Sequence, residues 1–176
     1  EHLLSISNNK IKVKLLDKNQ GISGATNEAA SLASGDYILL MDNDDELAHS
    51  ALHEFYQKIK KDGSEILYSD MDIIDAKGRT RDPLCKPDWS PDLFLSQMYL
   101  GHLVGFKKSL FDEVGGFRSE FNGSQDYDLL LRMTEKTDKI GHVAEILYHW
   151  RDLPSSTAAN PESKPYAQIA GLNAIQ

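Results

Sequence analysis

The sequence has 176 residues, which is enough for one globular domain with its own hydrophobic core. Its formal net charge of −8 argues against a general nucleic-acid-binding protein, because such a protein would present a basic face to phosphates. Cys85 is the only cysteine, which excludes a disulfide framework and a cysteine zinc site. No apolar run approaches the roughly 18 residues of a membrane-spanning helix, so the sequence predicts no membrane span.

In the first half of the chain, apolar patterns typical of strands and helices alternate. Residues 1–10 have the pattern of a helix end, and the apolar residues of 11–15 alternate with lysines, as in a half-buried or edge strand. We then expect a helix over 22–32 that stops near Gly35, a strand over 37–41, a helix over 52–59 and a strand over 65–69. This rhythm predicts an α/β fold with a mostly parallel central sheet and crossover helices.

The second half is less regular. Residues 77–79 predict a hairpin turn, and three prolines punctuate the stretch over 83–91. We expect a strand over 102–106, a short helix over 109–114, a helix capped by Ser124, one or two strands over 140–151, a loop over 154–165 and a terminal helix over 166–175.

The segment over 37–45 combines a strand buried on both faces with an acidic turn. Five apolar residues run without alternation into Asp42 and Asp44, at the place where a parallel sheet opens into its ligand crevice. Two carboxylates so placed suit Mg²⁺, which takes one or two carboxylates together with substrate phosphates. A solvated acidic turn is the alternative. A calcium loop is excluded, because its glycine and glutamate positions hold Leu47 and His53.

Asp126 is a second candidate site residue. In the first turn of a helix, the helix dipole favours the ionised carboxylate, and such a carboxylate can act as a general base toward a hydroxyl. The alternative is an acid that only stabilises its own helix.

Several other polar residues have both a functional and an ordinary interpretation. His149 and His102 are either ligands or packed histidines, and Lys86 and Arg151 either neutralise a diphosphate or form surface salt bridges. Asp70 and Asp72 either line an acceptor cleft or form a solvated strand end.

A set of short motifs recurs in order along the chain, at 19–27, 33–37, 41–45, 68–70, 86–92, 99–102, 115–117, 123–129, 148–151 and 156–158. Taken together and in this order, these motifs closely resemble family 2 glycosyltransferases over nearly the whole chain. The Lys-Pro-Asp-Trp-Ser-Pro-Asp run over 86–92 and the Tyr-His-Trp-Arg run over 148–151 resemble a bacterial branch that builds cell-surface polysaccharides, including rhamnose-containing ones.

The resemblance implies a GT-A fold and an inverting transfer of a sugar from a nucleotide-diphosphate donor to a glycan or lipid-linked saccharide. Residues 1–75 would be the remaining nucleotide- and metal-binding half, and 76–176 the acceptor-binding and catalytic-base half. A single cysteine is compatible with a reducing, cytoplasmic setting, so we expect a cytoplasmic location, with peripheral contact at the inner face of the membrane as an option.

The resemblance also assigns roles by position, with Mg²⁺ or Mn²⁺ as the cofactor. Asp42 and Asp44 match the DxD motif, with Asp44 as the direct ligand and Asp42 facing the ribose or the metal's waters. Asp126 matches the catalytic base, although the usual preceding Glu is Gln125 here. His149 matches a histidine that reaches the metal or the diphosphate.

Four further residues complete the expected donor site. Gly101 and His102 fall in the loop beside the donor sugar, and Lys86 and Arg151 are the cations expected near the diphosphate.

Family members open with a βαβ unit that holds the nucleobase, and this chain starts after the matching position. We therefore expect a fragment with weak nucleotide binding and an exposed sheet edge through which it self-associates. Calorimetric titration with UDP and Mn²⁺ measures this, and tight metal-dependent binding would show the expectation to be wrong. Two other functions stay open, a non-catalytic GT-A-like scaffold and a nucleotidyltransferase.

Overall fold

The computed structural model describes residues 8–152 and 165–176. The helices are α1 (Gly21–Ser31), α2 (Ala51–Asp62), α3 (Pro91–Ser96), α4 (Lys108–Glu113), α5 (Gln125–Thr134) and α6 (Pro165–Ile175), with a 3₁₀ turn at Ser119–Phe121. The strands are β1 (Tyr37–Leu40), β2 (Glu46–Leu47), β3 (Ile66–Ile74), β4 (Thr80–Leu84), β5 (Val104–Lys107) and β6 (Ile140–Arg151).

The strands form a single mixed sheet in the order β1-β5-β3-β6-β2, and β4 pairs with β3. This confirms the predicted α/β fold, but the expected mostly parallel pairing is wrong for the described residues. Only β3 and β6 run parallel, and the other four pairings are antiparallel. The reason is that β5 inserts between β1 and β3, whereas the strand–helix rhythm suggested that β1 and β3 were direct neighbours.

Two hydrophobic layers cover the two faces of the sheet. Ile66 and Tyr68 on β3 point into the layer that contains α5, while Leu67 between them points into the layer that contains α2. Alternate residues of a strand face opposite sides, so an unbroken apolar run fills both layers. The helix that carries Asp126 is therefore held against one fixed face of the sheet.

The strand β1 also contacts both layers but is only half-buried. Ile38 and Leu40 pack against one layer, and Tyr37 and Leu39 pack against the other. All four residues keep partial exposure, so the expectation of a strand buried on both faces is only partly right. The reason is its position, because β5 is its only strand partner within 8–152 and 165–176.

The strand expected over 11–15 is not formed. Ile11 and Leu15 are exposed, and the segment contacts the end of α1, where the Lys12 ammonium donates to the Leu32 carbonyl oxygen at 2.8 Å. Alternation alone predicted a strand, but a strand also needs a partner, and residues 11–15 pair with no strand of the described sheet.

The other predicted elements lie within a few residues of their expected places, and 140–151 is one strand. The expected helix end over 1–10 and loop over 154–165 fall mainly outside the described residues. None of the helices in the described ranges is long and apolar enough to cross a bilayer.

Candidate active site

A cavity of about 640 Å³ lies where the end of β1, the start of α5 and the start of α6 meet. Its lining combines acidic, amide and apolar side chains, and it includes Asp42, His102, Gln125 and Asp126. The remaining lining residues are Ile22, Thr26, Leu40, Met41, Phe117, Asn122, Gly123, Tyr166 and Ala167. The structure thus brings three of the predicted site residues, Asp42, His102 and Asp126, to one cavity.

Negative charge converges on the cavity edge around Asp42. Burial is the largest influence and raises the pKa of Asp42, although the side chain keeps contact with solvent, while His102 lowers this pKa. The carboxylates of Asp45, Asp44 and Asp126 raise it as well. Carboxylates that oppose each other's ionisation in this way form an environment that a bound cation would relieve.

Asp126 is the second residue of α5, and its position is fixed by local hydrogen bonds. Its Oδ1 accepts a hydrogen bond from the backbone N–H of Tyr127 at 2.9 Å, and Gln125 Oε1 accepts one from the N–H of Gly123 at 2.7 Å. Ser124 occupies the predicted N-cap position, but its side chain does not cap the helix. Its hydroxyl instead donates to the Ala167 carbonyl oxygen at 2.7 Å, which fastens α6 to the start of α5.

Asp45 and Tyr148 hold the acidic turn in place, and sequence reasoning missed this function for both. The Tyr148 hydroxyl accepts a hydrogen bond from the N–H of Asp42 at 3.1 Å and donates one to the Asp45 carboxylate. The other carboxylate oxygen of Asp45 accepts from the N–H of Arg151 at 2.8 Å. Burial and the hydrogen bond to Asp45 raise the pKa of Tyr148, so the hydroxyl keeps its proton.

The loop with Gly101 and His102 is held by Lys86. The Lys86 side chain is buried, and its ammonium donates to the carbonyl oxygens of Leu100 and His102, the latter at 2.7 Å. Burial lowers the pKa of Lys86 to about 8. The His102 ring stacks on Tyr148 with a centroid distance of 5.0 Å. The ammonium expected to neutralise a diphosphate is thus turned toward backbone carbonyls.

His149 and Arg151 lie on β6, next to the acidic turn rather than in the cavity lining. His149 Nδ1 is 2.6 Å from Asp72 Oδ1, and a carboxylate in this position commonly orients a histidine whose other nitrogen binds a metal. Arg151 Nε donates to the Asp44 carbonyl oxygen at 2.6 Å, and its guanidinium pairs with Glu46.

The donor set fits a metal ion only in part. In the described portion of the chain, no group of three or more His, Cys, Asp or Glu side chains is arranged to hold a metal. The clustered charge of Asp42 and Asp44 does fit a hard cation that receives its other ligands from water and phosphate, as Mg²⁺ does.

Asp70 and Asp72 are buried, so the interpretation as a solvated strand end is wrong, and neither residue lines this cavity. Both residues are buried, and each pairs with a histidine of β6. His142 lies between two acids, with Nε2 2.8 Å from Asp70 and Nδ1 3.0 Å from Asp88. These pairs connect β3 to β6 and to the loop after β4.

Polar residues of α1 fix the opposite wall of the cavity. The Ser23 hydroxyl donates to Asn122 Oδ1 at 2.6 Å, and Asn27 exchanges two 2.9 Å hydrogen bonds with the backbone of Phe117. The motif over 19–27 therefore holds the segment that leads into α5.

The fold places this chain in the class of α/β domains with a GT-A fold. A crystal structure of S. aureus TarS residues 1–349 in complex with UDP-GlcNAc matches with a TM-score of 0.71 at 19% identity, over 90% of this chain and 48% of that one. The family model for glycosyl transferase family 2 matches residues 1–117. The chain belongs to glycosyl transferase family 2, as its resemblance to that family implied.

Two curated relatives are similar over nearly all of the chain. An uncharacterised protein of Sinorhizobium fredii is 41% identical over 170 residues, and the O-antigen biosynthesis protein RfbC of Myxococcus xanthus is 35% identical over 167. These alignments cover 95% and 94% of this chain but only 19% and 13% of the relatives. The chain thus spans less than a fifth of either protein.

Proposed function

We propose that the chain is the catalytic part of an inverting glycosyltransferase that transfers a sugar from a nucleotide-diphosphate donor to a saccharide hydroxyl. The observation that carries this proposal is the cavity shared by Asp42 and Asp126. One carboxylate follows a sheet strand and the other begins a helix, so the two are held by separate rigid elements. Membership of glycosyl transferase family 2 supports it independently.

Asp126 is the general base in this proposal. It is half-buried, lines the cavity and lies in the first turn of α5, where the helix dipole stabilises its negative charge. It would take the proton of the acceptor hydroxyl as that oxygen attacks the anomeric carbon from the face opposite the diphosphate. One displacement of this kind inverts the carbon and needs no covalent sugar–enzyme intermediate.

We propose Mg²⁺ or Mn²⁺ as the cofactor, held by Asp44 and Asp42 and completed by water and phosphate oxygens. His149 stays a predicted ligand, because the described residues do not group it with the two carboxylates in a metal-binding arrangement. When bound, the ion would stabilise the negative charge that develops on the departing diphosphate. Asp72 would keep the His149 ring oriented through its Nδ1. Gly101 and His102 would contact the donor, with Lys86 supporting their loop and Arg151 fixing the acidic turn.

Replacing Asp44 with alanine is expected to abolish metal-activated transfer, since it removes one of the two clustered carboxylates. The measurement is the transfer rate against Mn²⁺ concentration for the wild type, Asp44→Ala and Asp36→Ala. Asp36 is a suitable control because it precedes β1 and is exposed, outside the cavity lining. A normal activation curve for Asp44→Ala would rule out the metal-binding role of Asp44.

Two relatives support a proposal for the acceptor class. One is an O-antigen biosynthesis protein, and another, at 29% identity, is a chondroitin synthase of Escherichia coli. We propose a glycan or lipid-linked saccharide as the acceptor.

The predicted location, cytoplasmic or at the inner face of the membrane, and the predicted self-association stay predictions.

A panel of nucleotide sugars at millimolar concentration with Mn²⁺ or Mg²⁺ tests the proposed function. Release of nucleotide diphosphate that depends on an added saccharide is the expected result. Absence of release with every donor would contradict it and favour the scaffold function, for which Gln125 in place of Glu is an indication. Release of pyrophosphate from a nucleoside triphosphate would instead indicate a nucleotidyltransferase.

A further inference from the structure

We infer that Tyr166 on α6 is the stacking platform for an uncharged saccharide, which it holds beside Asp126. This inference rests on the proposed function, because it identifies the part of the same cavity that would bind the acceptor. The assigned residues of the site lie on β6, on α5 and in the loops after β1, after β4 and before β5. Helix α6 has no assigned function, yet two of its residues, Tyr166 and Ala167, line the cavity.

The Tyr166 ring is held at the start of α5. A side-chain carbon at Gly123 would lie 2.7 Å from Cε2 of the ring, so the ring packs directly on the glycine backbone. Gly123 has a φ of +101°, which strongly favours glycine, so this close contact is built into the turn. The hydrogen bond from Ser124 to Ala167 fixes α6 beside the same turn. Asp126 is only three residues from Gly123 along the chain.

The ring is nonetheless open to solvent. Tyr166 is 53% exposed, and the cavity-lining residues Ile22 and Met41 are 50% and 47% exposed. Large apolar side chains are normally covered, and a group of them around one cavity marks a binding surface.

The chemistry of the lining selects the class of ligand. None of the cavity-lining residues described is a lysine or an arginine, whereas two of them are aspartates. An anionic ligand would be repelled at the Asp126 end, and a purely apolar one would leave the polar groups there unpaired. A pyranose has an apolar C–H face and a rim of hydroxyls, so one face can stack on the ring while a hydroxyl faces the Asp126 carboxylate.

Saturation-transfer NMR on the whole chain tests this inference without any donor. The probes are methyl α-D-glucopyranoside, methyl α-D-galactopyranoside and methyl α-L-rhamnopyranoside. We expect at least one to receive saturation from the wild type, and Tyr166→Ala to weaken its binding by about 2- to 10-fold, the range expected for loss of an aromatic contact. Tyr166→Phe keeps the ring and should bind as the wild type does.

Tyr56→Ala is the matched control, because Tyr56 is 56% exposed on α2 and does not line the cavity. Unchanged thermal unfolding of Tyr166→Ala establishes that the variant is folded. Equal glycoside binding by Tyr166→Ala and the wild type would overturn the inference, as would displacement of the glycoside by uridine. A third outcome would also overturn the inference. In that outcome no glycoside binds to the wild type, and the wild type binds phosphatidylglycerol vesicles but Tyr166→Ala does not, because Tyr166 would then contact lipid rather than a saccharide.

The result separates this inference from the proposed function. If glycoside binding depends on Tyr166 but no nucleotide diphosphate is released, the saccharide site is supported and the proposed transferase function is contradicted. If nucleotide diphosphate is released in the presence of an acceptor but Tyr166→Ala binds glycosides as the wild type does, the transferase function is supported and the Tyr166 site is contradicted.

Discussion

Replacing Asp126 with asparagine is expected to lower sugar transfer by about 10²- to 10⁴-fold, the usual contribution of a positioned general base. Asparagine has nearly the same shape and can still accept the hydrogen bond from the Tyr127 N–H. It cannot take a proton from the acceptor hydroxyl. The measurement is the initial rate of acceptor-dependent nucleotide diphosphate release at saturating donor and metal.

The stability of this variant should change little. Asp126 is half-buried, and loss of its charge removes a favourable interaction with the helix N-terminus, about 0.3–1 kcal/mol, together with the repulsion between Asp126 and Asp42. Glu120→Gln is a control, because this exposed acid of the preceding 3₁₀ turn does not line the cavity. If Asp126→Asn transferred sugar at the wild-type rate, Asp126 would not be the general base.

Local sequence patterns predicted the elements that carry the cavity. An unbroken apolar run followed by acids marked β1 and the turn after it, and helical spacing near Ser124 marked α5. Both signals are local, because they depend on side-chain period and on preferences at element ends. Placing Asp42 and Asp126 at one site required the ordered resemblance to a family, since no local pattern relates residues that far apart.

Sheet order was beyond such patterns. Strand β5 comes after the proline-rich stretch, and only long-range pairing inserts it between β1 and β3. The alternation over 11–15 failed for a related reason, since a strand forms only where another strand edge accepts its hydrogen bonds.

Partners of buried polar groups were equally hidden. Asp70 and Lys86 are charged residues near predicted loops, and such residues are usually exposed. In the structure both are buried, because β6 supplies His142 to the carboxylate and the loop over 100–102 supplies carbonyl oxygens to the ammonium. Each pairing joins segments distant in sequence, and a single sequence gives no indication of it.

Asp126 and Asp128 both lie in the first turn of α5, but Asp128 is buried in an ion-pair network. Of the variants proposed, replacement of Asp128 should lower stability the most. Its side chain is 1% exposed and receives hydrogen bonds from Arg118 and Arg132, with Arg132 Nη2 at 2.7 Å. Arg132 also donates to the carbonyl oxygens of Val114 and Gly116. The carboxylate therefore ties α5 to the loop that leads into the cavity.

Asp128→Asn is expected to lower the free energy of unfolding by about 3 kcal/mol. Breaking a buried ion pair costs about 3–5 kcal/mol, and the lower end applies because Arg118 is partly exposed. Chemical denaturation of Asp128→Asn measures the change, with Asp112→Asn as the control, since Asp112 forms only an exposed ion pair with Lys108.

The Asp128 carboxylate also makes the stability of the fold depend on pH. Burial alone would raise the pKa of Asp128, but hydrogen bonds from Arg118 and Arg132 outweigh it and hold the pKa below its usual value of 3.8. The unfolded chain then binds this proton more readily than the folded chain, so stability is present above pH 3.8 and is lost as the pH falls through the folded pKa. Asp128→Asn should lack this part of the acid dependence. If its denaturation midpoint and acid sensitivity both match the wild type, the carboxylate does not hold α5 in place, and Asp126 owes its position to other contacts.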